Sequence, residues 1–197
     1  MLNRATLRRG FTLIELMITL ALIGVMLALG APAVSAWIQN TQIRTAAESM
    51  LTGIKLARTE AAKRNATVRF QMMTSTDASC GLSTTGANWV VSVNDATGLC
   101  DVADSLLPPY PVRIKASGEG TRNVAYSASL ASTNFDALGR VTPIPAADLV
   151  FDITNPAGGG CVASSGPMRC LQIQVTPGGQ ARMCDPAVTA ANDSRTC

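Results

Sequence analysis

Apolar and polar positions divide the chain into three stretches. From Phe11 to Ile38 the residues are almost all apolar, and one side chain ionises, Glu15. From Gln39 the apolar residues thin to a stripe: Ile43, Ala46, Ala47, Met50, Ile54, Ala57 and Ala61, at steps of three and four. That spacing is one face of an amphipathic helix, so one helix is expected to run unbroken from the apolar stretch to about Arg64. Arg44, Glu48, Arg58 and Lys63 fall mainly off the stripe. Asn65 follows, a residue that tolerates the left-handed conformation that ends helices. Pro32 should kink the apolar stretch by removing a backbone hydrogen bond, with Gly24 and Gly30 as softer points.

Beyond Asn65 the period changes to two. Thr67–Met73 alternates, with Val68, Phe70 and Met72 one way and Arg69 and Gln71 the other. Asn88–Asn94 carries Trp89, Val91 and Val93 on one face, and Trp89 is expected in the core. The turn Asn94-Asp95-Ala96-Thr97-Gly98 leads to Cys100, and Asp101–Pro111 reads as a loop because its prolines cannot donate in a ladder. Val112–Lys115, Val124–Ser127, Ser132–Phe135 and Leu149–Ile153 read as short strands. Leu171–Val175, the turn at Pro177-Gly178-Gly179 and Gln180–Met183 form a hairpin. The expected fold class is α+β, one long helix whose second half packs on an antiparallel sheet. The expected divisions are a leader (1–10), a membrane or filament-core helix (11–38), its amphipathic continuation (39–65) and a β-rich globular part (66–197).

The chain has 197 residues and a net charge of +3, from 16 basic and 13 acidic side chains. Met1–Gly10 holds three of the arginines, Arg4, Arg8 and Arg9, and no acid. Without it the balance is 13 against 13, so bulk charge does not argue for nucleic acid. Arginines ahead of an apolar stretch stay in the cytoplasm and send the rest of the chain outward. The stretch, at 1.5 Å per residue, spans about 42 Å, more than a hydrocarbon core of about 30 Å. A plain single-pass anchor would fit that length. A secretory signal cut at Val34-Ser35-Ala36 fits less well, because the run is too long and holds an acid near its start. A carboxylate in a membrane costs roughly 2.5–3.5 kcal/mol on insertion scales, so Glu15 needs a partner. If a peptidase cuts after Gly10, Phe11 gains a cationic amine, and a neighbouring copy can set that amine against Glu15.

Arg8-Arg9-Gly10-Phe11-Thr12-Leu13-Ile14-Glu15-Leu16 resembles the type III signal of type IV pilins and type II secretion pseudopilins. The resemblance implies a pilin fold. It makes Gly10 the prepilin peptidase recognition residue, Phe11 the N-methylated mature terminus and Glu15 the acid that registers a subunit in a filament. A proline near Pro32 is common in that family. Leu56-Ala57-Arg58-Thr59-Glu60-Ala61 and Phe135-Asp136-Ala137-Leu138-Gly139-Arg140-Val141 resemble the helix segment and the Phe-x-x-x-Gly-Arg turn of the GspH/FimT subfamily. Gly139 there supplies positive φ, Phe135 anchors the strand end, and Arg140 is by default a solvated hairpin arginine. The implied partners are a prepilin peptidase, other minor and major pilins or pseudopilins, and the bacterial inner membrane, with the globular part periplasmic. The implied role is structural: priming or capping a type IV pilus or a secretion pseudopilus.

Some relatives in that subfamily bind DNA in natural transformation through a Gly-Arg-x-Arg motif. Here the matching residues are Gly179-Gln180-Ala181-Arg182, so one of the two arginines is glutamine. Affinity for phosphates scales with the number neutralised, so DNA is the secondary reading, with Arg169 and Arg182 as its contacts.

There is no histidine, which excludes Ser-His-Asp and Cys-His catalysis and His-ligated metals. No enzyme activity, cofactor or metal is expected. Asp185, Asn192 and Asp193 lack the spacing of a calcium loop, and Gly158-Gly159-Gly160 has no Lys-Ser/Thr after it to make a P-loop. The six cysteines, Cys80, Cys100, Cys161, Cys170, Cys184 and Cys197, follow the apolar stretch and argue for disulfides in an oxidising compartment. They allow fifteen connectivities. The preferred set is sequential, Cys80–Cys100, Cys161–Cys170 and Cys184–Cys197, each closing a short polar loop. The last would pin the tail from Asp185 to Arg195.

Overall fold

The computed structural model describes residues 11–118 and 120–197, and of residues 29–32 the backbone only. The leader, and with it the cleavage expected after Gly10, lies outside the described residues. So does the Pro32 side chain, and with it the kink expected there. The chain divides between Ser35 and Ala36 into two compact units.

One helix, α1 (Leu13–Arg64), crosses that division. Thr12 starts it: its hydroxyl accepts the Glu15 amide at 3.3 Å, satisfying one of the free donors of the first turn. Asn65 ends it with φ of +50°, and the Ala66 amide reaches back to the Ala61 carbonyl at 3.2 Å. In the first unit the described apolar side chains stand open; Leu13, Ile14, Met17, Leu20 and Met26 are all 60% exposed or more. No single described helix is long and apolar enough to cross a membrane. Leu13–Ala28 and Ala33–Arg64 meet the requirements of length and composition only as a broken pair.

The second unit holds two four-stranded antiparallel sheets where the sequence suggested one. β1 (Val68–Met73), β2 (Asn88–Ser92), β3 (Pro111–Lys115) and β5 (Ser132–Phe135) form the first, in the order β3-β2-β1-β5. β4 (Ala125–Ala128), β6 (Leu149–Thr154), β7 (Leu171–Val175) and β8 (Ala181–Cys184) form the second, in the order β4-β6-β7-β8. Pro111 belongs to β3 and not to the preceding loop. It can do so because it opens an edge strand, where a missing N–H costs no ladder bond.

The stripe from Ile43 to Ala61 is fully buried and shares one core with Phe70, Trp89, Phe135, Phe151, Ile153 and Ile173. Phe70 lies 5.6 Å from Trp89 and 6.1 Å from Phe151, centroid to centroid. Gly53 makes room for that cluster, since a Cβ there would sit 2.9 Å from the Trp89 ring. The other face of the first sheet is not left to solvent. Met73, Val90, Ala96, Cys80 and Cys100 close a smaller core on it. Gln71 is buried on the same strand, donating to Asp95 Oδ1 at 2.8 Å and accepting from the Ala96 amide at 3.0 Å. That exchange lets a buried amide and the polar turn after β2 satisfy each other.

Candidate functional site

The amino-terminal end carries the chemistry that the sequence singles out. Phe11 is 84% exposed, and Glu15 lies one helical turn further on. The Glu15 amide is taken by Thr12, but its carboxylate bonds to no described residue. It is the one ionisable side chain between Phe11 and Ile38. Thr12-x-x-Glu15 also has the spacing of a capping box, a local signal that sequence reading passed over. Half of the box is present, the Thr12 hydroxyl on the Glu15 amide, while the carboxylate bonds to no described residue.

A second cluster joins three motifs far apart in sequence. At the turn after β5, Gly139 takes φ of +73°, its amide bonds the Asp136 carbonyl at 2.8 Å, and the Asp136 amide bonds the Arg140 carbonyl at 2.9 Å. The turn between β7 and β8 repeats this geometry with Gly179 at φ of +78°, its amide on the Thr176 carbonyl at 2.8 Å and the Thr176 amide on the Gln180 carbonyl at 2.9 Å. The turns are stacked: the Val141 amide donates to the Pro177 carbonyl at 3.0 Å, and a Cβ on Gly179 would overlap the Gly139 carbonyl. Arg58 of α1 donates to that same carbonyl at 3.1 Å. The sequence places it off the apolar stripe. The structure makes it the bolt between helix and turns. Asp136 holds Arg140, accepting from the Arg140 amide at 2.9 Å and from its Nε at 3.0 Å. Those bonds, the one from the Arg140 amide first, hold the Asp136 carboxyl below the usual carboxylate range.

The three disulfides join Cys80 to Cys100, Cys161 to Cys170 and Cys184 to Cys197, with no free cysteine among the described residues. The last bond and Arg182 together hold the tail. Arg182 donates to the Thr196 and Cys197 main-chain oxygens at 2.9 and 3.3 Å and to Gln174 Oε1 at 2.7 Å. Arg169 pairs with the buried Asp185 at 3.3 Å. Both arginines named for nucleic acid are therefore engaged within the chain, and they sit in different networks. Asp193 is gripped by Arg195 at 2.6 Å, which lowers its carboxyl to about 2, chiefly through the side-chain hydrogen bond. Among the described residues no three acidic, histidine or cysteine side chains are grouped to hold a metal.

Comparisons with known proteins fit this geometry. The family of type II transport protein GspH matches residues 46–179, and the prokaryotic N-terminal methylation motif matches residues 6–31. The pilin-like protein PilA1 of Thermus thermophilus is 42% identical over 67 residues, which are 34% of this chain and 42% of that protein. The chain thus matches less than half the length of that curated relative. The crystal structure of the type IV minor pilin FimU of Pseudomonas aeruginosa (strain PAO1) aligns over 75% of this chain and 91% of its own, at 14% identity and a TM-score of 0.51. At that identity the likeness concerns the fold: a helix packed on antiparallel sheets. A second crystal form of FimU aligns over 71% and 90%, at 15% identity and a TM-score of 0.48.

Proposed function

This chain belongs to the GspH family, the minor pilins and pseudopilins of type IV pili and type II secretion systems, and on that premise we propose that it primes or caps such a filament. Its role is structural. A prepilin peptidase cuts after Gly10, and Phe11 becomes an N-methylated terminus. The processed chain waits in the bacterial inner membrane as a single-pass protein with its globular unit in the periplasm. Other minor and major subunits then pack against the apolar helix, and Glu15 receives the Phe11 amine of a neighbour.

The observation that carries this reading is the Glu15 carboxylate, which bonds to no described residue, in a first unit whose described apolar side chains are open. A lone charge in lipid is costly, and a counter-charge from an adjacent subunit removes the cost only in the correct register. The experiment is deletion of the chain from its cell, with filaments counted and measured. Priming predicts fewer filaments of ordinary length, restored by the wild-type chain and not by one with Gly10 replaced by a bulky residue. An unchanged filament number would contradict it.

The reading as a DNA-binding subunit of natural transformation has no observation in its favour. Arg169 and Arg182 sit in separate networks, one on Asp185 and the other on the tail, and do not form a pair that grips adjacent phosphates. A mobility-shift titration of the full chain in detergent at low salt tests this, and no retardation is expected.

A further inference from the structure

The globular unit carries a groove of about 470 Å³ beside the helix residues Trp37, Asn40 and Arg44, with Arg169 on its rim and Leu171 and Met183 among the residues lining it. We propose that this groove seats the headgroup of an anionic phospholipid, so that the globular unit rests on the membrane surface before the subunit joins a filament. The inference rests on the membrane-anchored reading above. Three observations carry it.

The first is position. In the anchored reading the apolar stretch Phe11–Ile38 is the membrane segment, and Trp37 stands at its far end. A hydrocarbon core is about 30 Å thick, and about 40–45 Å with its headgroups. At about 1.5 Å per residue the stretch outspans that core, so in the anchored reading its far end, at Trp37, meets the headgroup layer. Trp37 is 69% exposed, an amphipathic ring of the kind that settles in that layer.

The second is charge. The Arg44 guanidinium spends Nε on Glu48 at 2.8 Å, and its two terminal nitrogens bond to no described residue. Arg169 spends one terminal nitrogen on Asp185. Asp185 also lines the groove, but it is only 7% exposed and already paired, whereas the Arg169 side chain is 59% exposed, so the cation is the more accessible of the two. Both arginines keep donors for a phosphate without giving up their partners. Asn40 adds to this: its Oδ1 accepts the Arg169 amide at 2.8 Å, which ties the two sides of the groove together. The third is the lining. Leu171 and Met183 offer apolar surface beside those donors, which suits a headgroup with its glycerol and acyl root better than a free anion.

The test uses the full chain reconstituted in three vesicle preparations: phosphatidylcholine alone, phosphatidylcholine with one third phosphatidylglycerol, and phosphatidylcholine with inorganic phosphate added. Iodide quenching and emission wavelength are read on Trp37. Subtracting the Trp37→Phe variant isolates it, since Trp89 is only 5% exposed. Protection from iodide and a blue shift are expected with phosphatidylglycerol and in neither other preparation. The pair Arg44→Gln with Arg169→Gln should abolish the difference, and Arg113→Gln with Arg122→Gln, of equal charge loss, should keep it. Should the first pair unfold, Arg44→Gln alone, on an exposed helix face, must still lose part of the response. Equal behaviour in all vesicles, equal behaviour of both pairs, or a response to phosphate alone would overturn the lipid seat. A chain that carbonate strips from every vesicle overturns the anchored reading instead, and the inference with it.

Discussion

The two halves of α1 share one helix and meet opposite surroundings. Ile18 and Ile54 lie in the same helix, yet Ile18 is 55% exposed and Ile54 is fully buried. The second half is amphipathic because its own sheets supply the apolar partner. The first half is apolar on its open sides, and on the proposed reading its partner is supplied from outside, by lipid or by other helices. Stability of the globular unit should therefore depend on one half and assembly on the other.

The largest effect that sharpens this contrast is a paired truncation. Ile54→Ala should destabilise the globular unit by about 2–5 kcal/mol, from lost burial plus the cavity left behind. Ile18→Ala should leave thermal unfolding of that unit unchanged, as read by near-ultraviolet circular dichroism in detergent. A similar loss from both would erase the distinction between the halves.

Next comes the bolt between helix and turns. Gly179→Ala forces a side chain into the left-handed region, at roughly 1–2 kcal/mol, and overlaps the Gly139 carbonyl. Overpacking adds about 1–3 kcal/mol. Denaturant midpoints should fall accordingly, and more than for Gly178→Ala on the exposed side of the same turn. A smaller loss is expected at Gly53→Ala, where a gain in helix propensity of about 1 kcal/mol offsets part of the crowding against Trp89. In an isolated helix the same change would stabilise, so the sign itself reports the packing.

The smallest effect is electrostatic. Glu60 lies against Arg64 at 2.7 Å and Lys63 at 3.1 Å, and the Arg64 hydrogen bond is the main cause that lowers its pKa below 4.5. A carboxyl with a lowered folded pKa binds its proton more readily when unfolded. Its contribution is thus present above pH 4.5 and fades as pH falls through the folded value. Glu60→Gln should remove that part of the acid-side slope and leave the slope near neutral pH unaltered, as followed by urea midpoints against pH.

Much of the globular unit was legible from periodicity. The stripe from Ile43 to Ala61 reads directly as core, and Ser132–Phe135 and Leu171–Val175 appear with the bounds their alternation suggests. The division into two sheets was not legible, because strand order depends on pairings far apart in sequence, such as β1 with β5. Arg58 was unreadable for the same reason: its acceptor, Gly139, lies 81 residues away. Gln71 looked like an ordinary polar position, since a second core on the outer face of a strand leaves no mark on its alternation. At the amino-terminal end the methylation motif was legible in the sequence, and the fold adds that the Glu15 carboxylate finds no partner among the described residues.

The pairing of Glu15 with a neighbour's Phe11 amine is tested most directly by mass spectrometry of membranes and sheared filaments from cells carrying Glu15→Ala. The variant should yield the N-methylated peptide beginning at Phe11 at wild-type level in membranes, and be missing from filaments. Incorporation equal to the wild-type chain would contradict the pairing.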